Sequence, residues 1–274
     1  MARSLAENVL CYAALSIFTI FSLAPIVWTF LTSLKTPVEA FSMPPVWIFA
    51  PHWENYLNVW SLHDFAKAYM NTVLISLGAT ALTLCISILS AYSFARFKFW
   101  GSGTFSFWLL LTRMLPEMLF IVPLYVLYQS LHLYDTLWGM VIIYQIYGVP
   151  FSTWILKSFI QDIPKEIEES GLVDGLSSFG VLRRITLPLA ATGLAATAAL
   201  AFISVWIDLL FALSFTFTDA KMVSVAIASF KGYAAPQWPL MAAGSILAIL
   251  PQAVFFIFVQ KYIVRGLTFG ALKA

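Results

Sequence analysis

The sequence predicts an all-α, polytopic membrane protein with six transmembrane helices. The chain of 274 residues is 61% hydrophobic and only 10% charged, whereas a soluble domain carries about 25% charged residues. Its mean hydropathy is +0.88. Six stretches have the length and apolarity of a spanning helix, which needs about 20 residues. These stretches are residues 9–31, 71–95, 105–128, 137–159, 185–213 and 240–262.

Basic residues orient the six spans. An even number of spans places both termini on one side of the membrane. That side carries most of the cations, namely Arg3, Arg96, Lys98, Lys157, Lys165, Arg183, Arg184, Lys261, Arg265 and Lys273. The positive-inside rule therefore predicts that both termini are cytoplasmic. We interpret the first stretch as a retained span, because it is too long for a signal peptide and no small-residue cleavage site follows it.

Composition argues against several other functions. A net charge of +2 is too small to indicate a nucleic-acid partner, so the main surroundings of the chain are the lipid bilayer. Cys11 and Cys85 lie in apolar stretches without histidine or cysteine neighbours at ligand spacing. We therefore expect no metal site. No G-x-x-x-x-G-K-[ST] motif occurs, so the chain is not expected to be an enzyme that hydrolyses ATP alone.

Residues 162–188 form a polar interruption between the fourth and fifth spans. Asp162 followed by Pro164 predicts a helix start, and Gly171 is placed to end that helix. Asp174-Gly175 is a strong turn signal, because glycine adopts positive φ at little cost. Ser177 or Ser178 then caps a second short helix. The pattern predicts a compact cytoplasmic knob of two helices, although an ordinary long loop is the simpler interpretation.

The same loop resembles the EAA loop of binding-protein-dependent ABC importer permeases. The family pattern is E-A-A-x3-G-x9-I-x-L-P, and Glu169, Gly175, Ile185, Leu187 and Pro188 stand at its fixed positions. Ser170 and Gly171 replace the two alanines. In that family the loop docks on the ATPase. The resemblance implies that the ATPase-coupling residues here include Glu169, Asp174, Gly175, Ile185, Leu187 and Pro188.

The resemblance extends over essentially the whole chain and is greatest to the maltose-type carbohydrate-importer permeases, specifically the MalG-like subunit. Matching segments include residues 33–35, 54–56, 91–97 and 123–125. The C-terminal stretch from Gln260 to Lys273 also matches, and in the family this tail reaches the ATPase dimer. Arg265 and Gly266 are thereby implied as further coupling residues. The alternative is that its basic residues only anchor the last span at the lipid headgroups.

The resemblance implies a type I ABC importer permease fold, formed by a single permease domain over residues 1–274 with a coupling loop at 162–188. The implied partners are a homologous second permease subunit, an ATPase dimer and an extracytoplasmic solute-binding protein. ATP and magnesium would bind to the ATPase, and this chain would bind no cofactor. The implied location is the bacterial inner membrane. The implied solute is a carbohydrate, a polyol or a sugar derivative, carried by alternating access.

Polar side chains inside the spans mark candidate positions on a substrate pathway, because a charge within the bilayer is costly. Arg113 and Glu117 stand four residues apart in the third span, so we expect them to lie on one helical face and to pair. The candidates are Arg113, Glu117, Tyr144, Gln145, Trp206 and Asp208. Tyrosine rings and amides suit hydroxylated solutes, yet the same residues also serve as helix-packing contacts.

Two other functional classes remain open from the residues. An ion-coupled secondary carrier could use Arg113, Glu117 and Asp208 as relay groups, but no inverted repeat is visible. A structural membrane scaffold would have no pathway. Within the importer class, a solute other than a sugar, such as a glycerol phosphate, is the alternative.

Overall fold

A computed structural model describes residues 5–62, 64–230 and 237–271. The side chains of residues 5, 6, 110 and 261–271 lie outside the described part. Across the described residues the secondary structure is helical. The helices are α1 (Leu5–Ser33), α2 (Pro37–Phe41), α3 (Glu54–Ser61), α4 (Phe65–Arg96), α5 (Ser102–Met114), α6 (Met118–Ser130), α7 (Leu137–Ile143), α8 (Gln145–Gln161), α9 (Lys165–Val173), α10 (Ser178–Val181), α11 (Leu187–Leu189), α12 (Ala191–Trp206), α13 (Leu210–Phe215), α14 (Val223–Ser229) and α15 (Trp238–Ala271).

The six predicted spans correspond to three straight helices and three bent helix pairs. Among the described residues, Glu7–Ser33, Phe65–Arg96 and Trp238–Gln260 are each long and apolar enough to cross a membrane. The other three predicted spans coincide with α5 and α6, with α7 and α8, and with the helix Ser178–Leu189 and α12. Each pair can form one broken span. Broken helices are what the prolines within the apolar stretches favour, since lipid cannot satisfy the backbone groups that proline frees.

Proline accounts for the sharpest break. The pair α5 and α6 bends by 98° at Leu115-Pro116. Leu115 is extended, with φ −77° and ψ 133°, because the ring of a proline disfavours the helical conformation of the residue before it. The freed backbone groups can be tolerated at membrane depth only where protein or water covers them.

The break between α11 and α12 has a second cause. A π-helical turn, Leu182–Thr186, precedes Pro188, and the helix then bends by 80° at Ala190. Both π turns and prolines interrupt the regular i to i−4 hydrogen bonding that keeps a helix straight. The loop 162–188 is thereby joined to α12 through helical structure rather than through a flexible linker.

The chain divides into two compact units, Met1–Ala66 with Ala226–Leu250, and Lys67–Val225 with Pro251–Ala274. In the first unit, none of the most apolar stretch of α1 is buried. The second unit contains two hydrophobic clusters. One lies around Ile75, Ile143 and Phe211, and the other lies around Tyr92, Leu156, Ile160 and Leu182 near the coupling loop.

The N-terminal end of α4 is held by a clamp of backbone and side-chain contacts within the second unit. Asp135 accepts hydrogen bonds from the backbone N–H groups of residues 217, 218, 219 and 220, at 2.9–3.0 Å. Lys67 pairs with Asp219 at 2.9 Å. Asn71 donates to the carbonyls of Asp219 and Lys221. We call these residues the Lys67 clamp.

Candidate functional site

The loop 162–188 folds into the two-helix knob that the sequence predicts, but its caps differ. Asp162 follows the last residue of α8 and does not start α9, which begins after Pro164. Gly171 does not end α9 either, since the helix continues to Val173. Ser177 caps α10 by accepting a hydrogen bond from the backbone N–H of Gly180. The acidic and glycine signals thus predicted the right segment but the wrong helix ends.

Two glycines shape the knob for different reasons. Gly175 has φ +87°, and a Cβ placed there would meet nothing within 4 Å, so only its backbone conformation demands glycine. This confirms the predicted turn. A Cβ added to Gly171 would clash with the Cδ1 atom of Ile185. Gly171 therefore lets α9 approach the π-helical turn closely, and Ile185 covers it.

A buried ion pair fixes the underside of the knob. The Nε atom of Arg96 donates to Oε2 of Glu168 at 2.5 Å, and the two side chains are 8% and 7% exposed. The hydroxyl of Thr186 donates to the other carboxylate oxygen, Oε1, at 2.7 Å. The Nη2 atom of Arg96 donates to the carbonyls of Ile160 and Ile163. We call these five residues the Arg96 junction.

The coupling residues implied by the family resemblance occupy both sides of the knob. Glu169, Asp174, Gly175 and Pro188 are exposed, while Ile185 and Leu187 are half-buried. Leu187 packs against the cluster around Tyr92 and Leu156. The backbone at Arg265 and Gly266 belongs to α15, but their side chains lie outside the described residues.

The outer tip of the knob is apolar. Val173 is 87% exposed, and Leu172 and Phe179 are also exposed. These three residues lie around the Gly175 turn, and most of the other exposed residues of the loop are polar or charged. Apolar side chains that project from a firmly held polar scaffold are typical of a surface that contacts a partner.

Four of the six pathway candidates meet at one cavity within the second unit. The cavity has a volume of about 50 Å³ and its lining includes Arg113, Glu117, Tyr144 and Asp208. Tyr147 and Ser152 also line it, and among the described groups their hydroxyls are buried without a protein hydrogen-bond partner. Such groups need water or a ligand to satisfy them. The volume suits a few water molecules and is far below the roughly 300–1,000 Å³ of a typical ligand pocket.

Arg113 and Glu117 do not share a helical face, because α5 ends at Met114 and α6 begins at Met118. Among the described residues, no ion pair joins the two. Instead, the guanidinium of Arg113 lies over the ring of Phe151, 4.6 Å from its centroid. The predicted i, i+4 pairing assumed a continuous helix, and Pro116 interrupts that helix.

Tyr144 and Asp208 are brought together by tertiary structure. The Tyr144 hydroxyl donates to Oδ2 of Asp208 at 2.9 Å. The same carboxylate oxygen accepts the backbone N–H of Ala212 at 3.1 Å. Asp208 thus lies between α12 and α13, holds the first turn of α13 and contributes to the lining of the cavity. The sequence suggested both residues but not their contact.

Gln145 and Trp206 are not among the residues that line the cavity. Gln145 accepts from Thr83 at 2.8 Å and donates to the Val141 carbonyl at 2.7 Å, so its amide joins α4 to the start of α8. Trp206 is buried and its ring stacks on Phe202. These are helix-packing contacts, which were the alternative interpretation for both residues.

Sequence reasoning missed the residues that form the Arg96 junction. The sequence indicated Arg96 as a cytoplasmic charge and as part of the matching segment 91–97, but it assigned no role to Glu168. A signal was present, because an arginine that ends a span and a pair of adjacent glutamates are both available for pairing. Spacing within one element could not reveal a contact across 72 positions of the chain.

Comparisons with known proteins agree with this geometry. Residues 83–269 match the family described as "Binding-protein-dependent transport system inner membrane component". That range contains the cavity and the coupling loop.

Three similar relatives are transport system permeases over nearly their full lengths. The sulfoquinovosyl glycerol transport system permease protein of Agrobacterium fabrum is 32% identical, over 96% of this chain and 93% of its own. The trehalose transport system permease protein of Mycobacterium tuberculosis is 34% identical, over 92% and 93%. The trehalose/maltose transport system permease protein of Thermococcus litoralis is 32% identical, over 100% and 99%.

A solved structure shows the same fold. One chain of a bacterial ABC transporter involved in the import of the acidic polysaccharide alginate superposes with a TM-score of 0.76. The alignment covers 96% of this chain and 99% of that chain, at 19% sequence identity. At that identity the likeness concerns the fold.

Proposed function

The chain belongs to the family of binding-protein-dependent transport system inner membrane components, and from this premise we propose that it is the membrane-spanning subunit of an ATP-driven importer for a carbohydrate, a polyol or a sugar derivative. The relatives above carry the names of sulfoquinovosyl glycerol, trehalose and maltose transport systems. These names support a sugar or a sugar derivative as the solute class. A solute similar to maltose or trehalose falls within this class.

The knob is the observation that carries the proposal. It combines a buried, hydrogen-bonded underside with the exposed apolar tip formed by Leu172, Val173 and Phe179. A surface of this kind fits a cleft on a soluble partner, and the sequence contains no phosphate-binding loop. We assign that partner as an ATPase dimer, which would bind ATP and magnesium. Glu169 and Asp174 lie beside the tip and would contact the same partner.

The cavity supports alternating access. Its volume of about 50 Å³ cannot hold a sugar, yet Arg113, Glu117, Tyr144 and Asp208 all face it. A solute route therefore has to open in a second conformation, and a homologous second permease subunit would form the other wall. An extracytoplasmic solute-binding protein would deliver the solute.

The distribution of charge supports an orientation in the bacterial inner membrane that leaves both termini in the cytoplasm. The knob carries Arg183 and Arg184 on its exposed surface, and Arg96 and Lys98 close the adjacent span. The positive-inside rule assigns this end to the cytoplasm. The same orientation gives the knob access to an ATPase.

Reconstitution tests the proposed function. The chain is purified with its co-expressed second permease and ATPase, placed in proteoliposomes and supplied with its binding protein. We expect uptake of labelled maltose or trehalose that requires ATP and persists when an ionophore collapses ion gradients. Uptake driven by an ion gradient without ATP would identify a secondary carrier. Preferred uptake of glycerol 3-phosphate would identify the non-sugar importer.

A matched pair of variants tests the assignment of the knob tip. Val173→Ser removes an apolar group that is 87% exposed at the tip, and Val38→Ser removes one that is 81% exposed on α2. We expect Val173→Ser to reduce recovery of the ATPase in a pull-down and Val38→Ser to leave it unchanged. Equal recovery with both variants would show that the tip is not the docking surface.

Glu169→Ala addresses coupling rather than docking. The carboxylate of Glu169 is exposed next to the tip, so its removal leaves the folded knob intact. We expect solute binding by the binding protein to stay unchanged while uptake and stimulated ATP hydrolysis fall. Wild-type values of both quantities would remove Glu169 from the coupling surface.

A further inference from the structure

The Arg96 junction gathers three segments of the chain at one guanidinium. Arg96 ends α4, Ile160 and Ile163 lie at the end of α8 and just beyond it, and Glu168 lies in α9. The distances from Arg96 nitrogens to their three acceptors are 2.5, 2.7 and 2.9 Å. Both charged side chains are almost completely removed from solvent. A displacement of any one segment would therefore break contacts to the other two.

A fourth segment joins through the carboxylate. Thr186 donates to Oε1 of Glu168, and Thr186 ends the π-helical turn that leads into α11 and α12. The two oxygens of Glu168 thus link Arg96 on one side to the base of α12 on the other. The coupling loop is held between them.

The helices that meet at the junction also line the cavity. Thr83 on α4, Ser152 on α8 and Ser204 on α12 all contribute to its wall. Thr83 precedes Arg96 by 13 positions, which corresponds to roughly 20 Å along a helix. Because a helix is stiff over that length, motion at the junction reaches the cavity wall without an intervening hinge in α4.

Arginine suits this position better than lysine. A guanidinium presents several N–H donors in a planar fork and keeps its charge when buried, whereas an ammonium is a compact and strongly hydrated charge. The geometry here uses Nε for the carboxylate and Nη2 for two carbonyls. A lysine would retain the charge but could not reproduce that division of donors.

We propose that Arg96 is a positioning residue that transmits displacement of the coupling loop to α4 and α8, and so opens and closes the wall of the cavity. The proposal rests on the proposed function, because it assumes that an ATPase moves the loop. The residue acts through Glu168 and the two carbonyls and does not contact solute.

A buried ion pair allows stability and transmission to be separated. Replacing both partners of such a pair with apolar side chains of similar size is often neutral for stability, whereas removing one partner leaves a buried charge without compensation. Arg96→Met/Glu168→Met therefore removes the connection while keeping an apolar contact in its place. Arg96→Lys keeps the charge and removes the forked geometry.

The test measures transport per ATP hydrolysed in the reconstituted complex, together with recovery of the assembled complex. We expect both variants to assemble and the double variant to transport about tenfold less solute per ATP, since coupling free energies between sites typically correspond to factors of 5 to 150. The control is Lys67→Met/Asp219→Met, which removes the exposed pair at the other end of α4. Its ratio should match that of the wild type.

One result would support the proposal and two would overturn it. A low ratio with normal assembly supports transmission through Arg96. A wild-type ratio in Arg96→Met/Glu168→Met overturns it. Loss of assembly in both the double variant and Arg96→Lys also overturns it, because the contact is then structural. A wild-type complex that shows no ATP-dependent uptake contradicts the proposed function instead, so the two failures are distinguishable.

Discussion

The two ends of α4 each hold a cation against a carboxylate, and they differ in access to water. At the C-terminal end, Arg96 and Glu168 are 8% and 7% exposed. At the N-terminal end, Lys67 and Asp219 are 49% and 81% exposed. The 29 positions between the cations correspond to roughly 44 Å of helix, which exceeds the hydrocarbon thickness of a bilayer. If α4 crosses the bilayer, as its length and apolarity allow, the two pairs would lie at opposite membrane surfaces.

The structures around the two pairs also differ. At the Arg96 junction, side chains supply both charges, and the acceptor carbonyls belong to the end of α8 and the residues just beyond it. In the Lys67 clamp, the carboxylate of Asp135 accepts hydrogen bonds from four successive backbone N–H groups. One end is fixed by ionic side chains and the other by main-chain hydrogen bonds. The comparison teaches that similar charge pairs give a rigid joint only where water is excluded.

The clamp also perturbs the Asp135 carboxyl group. Partial burial acts to raise its pKa, but hydrogen bonds from the backbone of residues 217–220 outweigh burial and lower the pKa below its usual value. The charged form is therefore stabilised in the folded protein. The stability it contributes is present above the ordinary pKa of an aspartate and is lost as the pH falls toward the lower folded value.

The largest expected effect lies at the Arg96 junction. Glu168→Ala leaves the guanidinium of Arg96 buried without a carboxylate, and the loss of one partner of a buried pair costs about 3–5 kcal/mol. Unfolding in mixed micelles containing sodium dodecyl sulfate measures the loss. The loss of unfolding free energy should change little with added salt, because buried charges are poorly screened. A loss below about 1 kcal/mol would place this pair in the same class as Lys67–Asp219.

The next effect lies in the clamp. Asp135→Asn keeps the shape but removes the charge that four amides recognise, and hydrogen bonds to charged groups contribute about 1.5–3 kcal/mol each. We expect a net loss of about 2 kcal/mol near neutral pH, because the amide oxygen keeps part of the bonding. The wild type should lose this advantage below about pH 4. A constant difference between the two proteins from pH 7 to pH 3 contradicts the assignment.

A smaller effect is expected at the Gly175 turn. A comparison with a second glycine separates the cost of backbone strain from the cost of side-chain packing there. Gly175→Val and Gly103→Val each place a side chain where a Cβ meets nothing within 4 Å, but only Gly175 has positive φ. The first should cost roughly 1–2 kcal/mol and weaken recovery of the ATPase. The second should cost little, because Gly103 has no such conformation. Equal costs would show that the turn does not demand glycine.

The smallest effect should occur at Lys67 and Asp219. Asp219→Asn removes a charge whose side chain is 81% exposed, and surface pairs typically contribute about 0.2–1 kcal/mol. The effect should decrease further at high salt, in contrast to that at Glu168. A loss comparable with that of Glu168→Ala would remove the distinction drawn between the two ends of α4.

Several features of the candidate site followed from sequence because they are local. The glycine at 175 predicted a turn, and the structure has φ +87° there. Ser177 predicted a cap, which it forms. Arg113, Glu117, Tyr144 and Asp208 stood out because polar groups are costly within apolar stretches, and all four line the cavity. Gln145 and Trp206 met the same criterion but lie elsewhere, since the sequence does not show which way a helical side chain points.

The amino-acid sequence by itself determined that this is an all-helical membrane protein with six apolar stretches and a two-helix knob at residues 162–188, because apolar length, charge bias and turn chemistry depend on neighbours along the chain. Only the tertiary structure decided which three of the stretches bend and that Glu168 rather than Glu169 is buried. It also decided that Arg113 and Glu117 lie on either side of the helix break at Pro116. In the Arg96 junction, Arg96 contacts Glu168 across 72 positions of the chain. Such contacts arise when packed helices exclude water around a charge, and that exclusion exists only once the chain has folded.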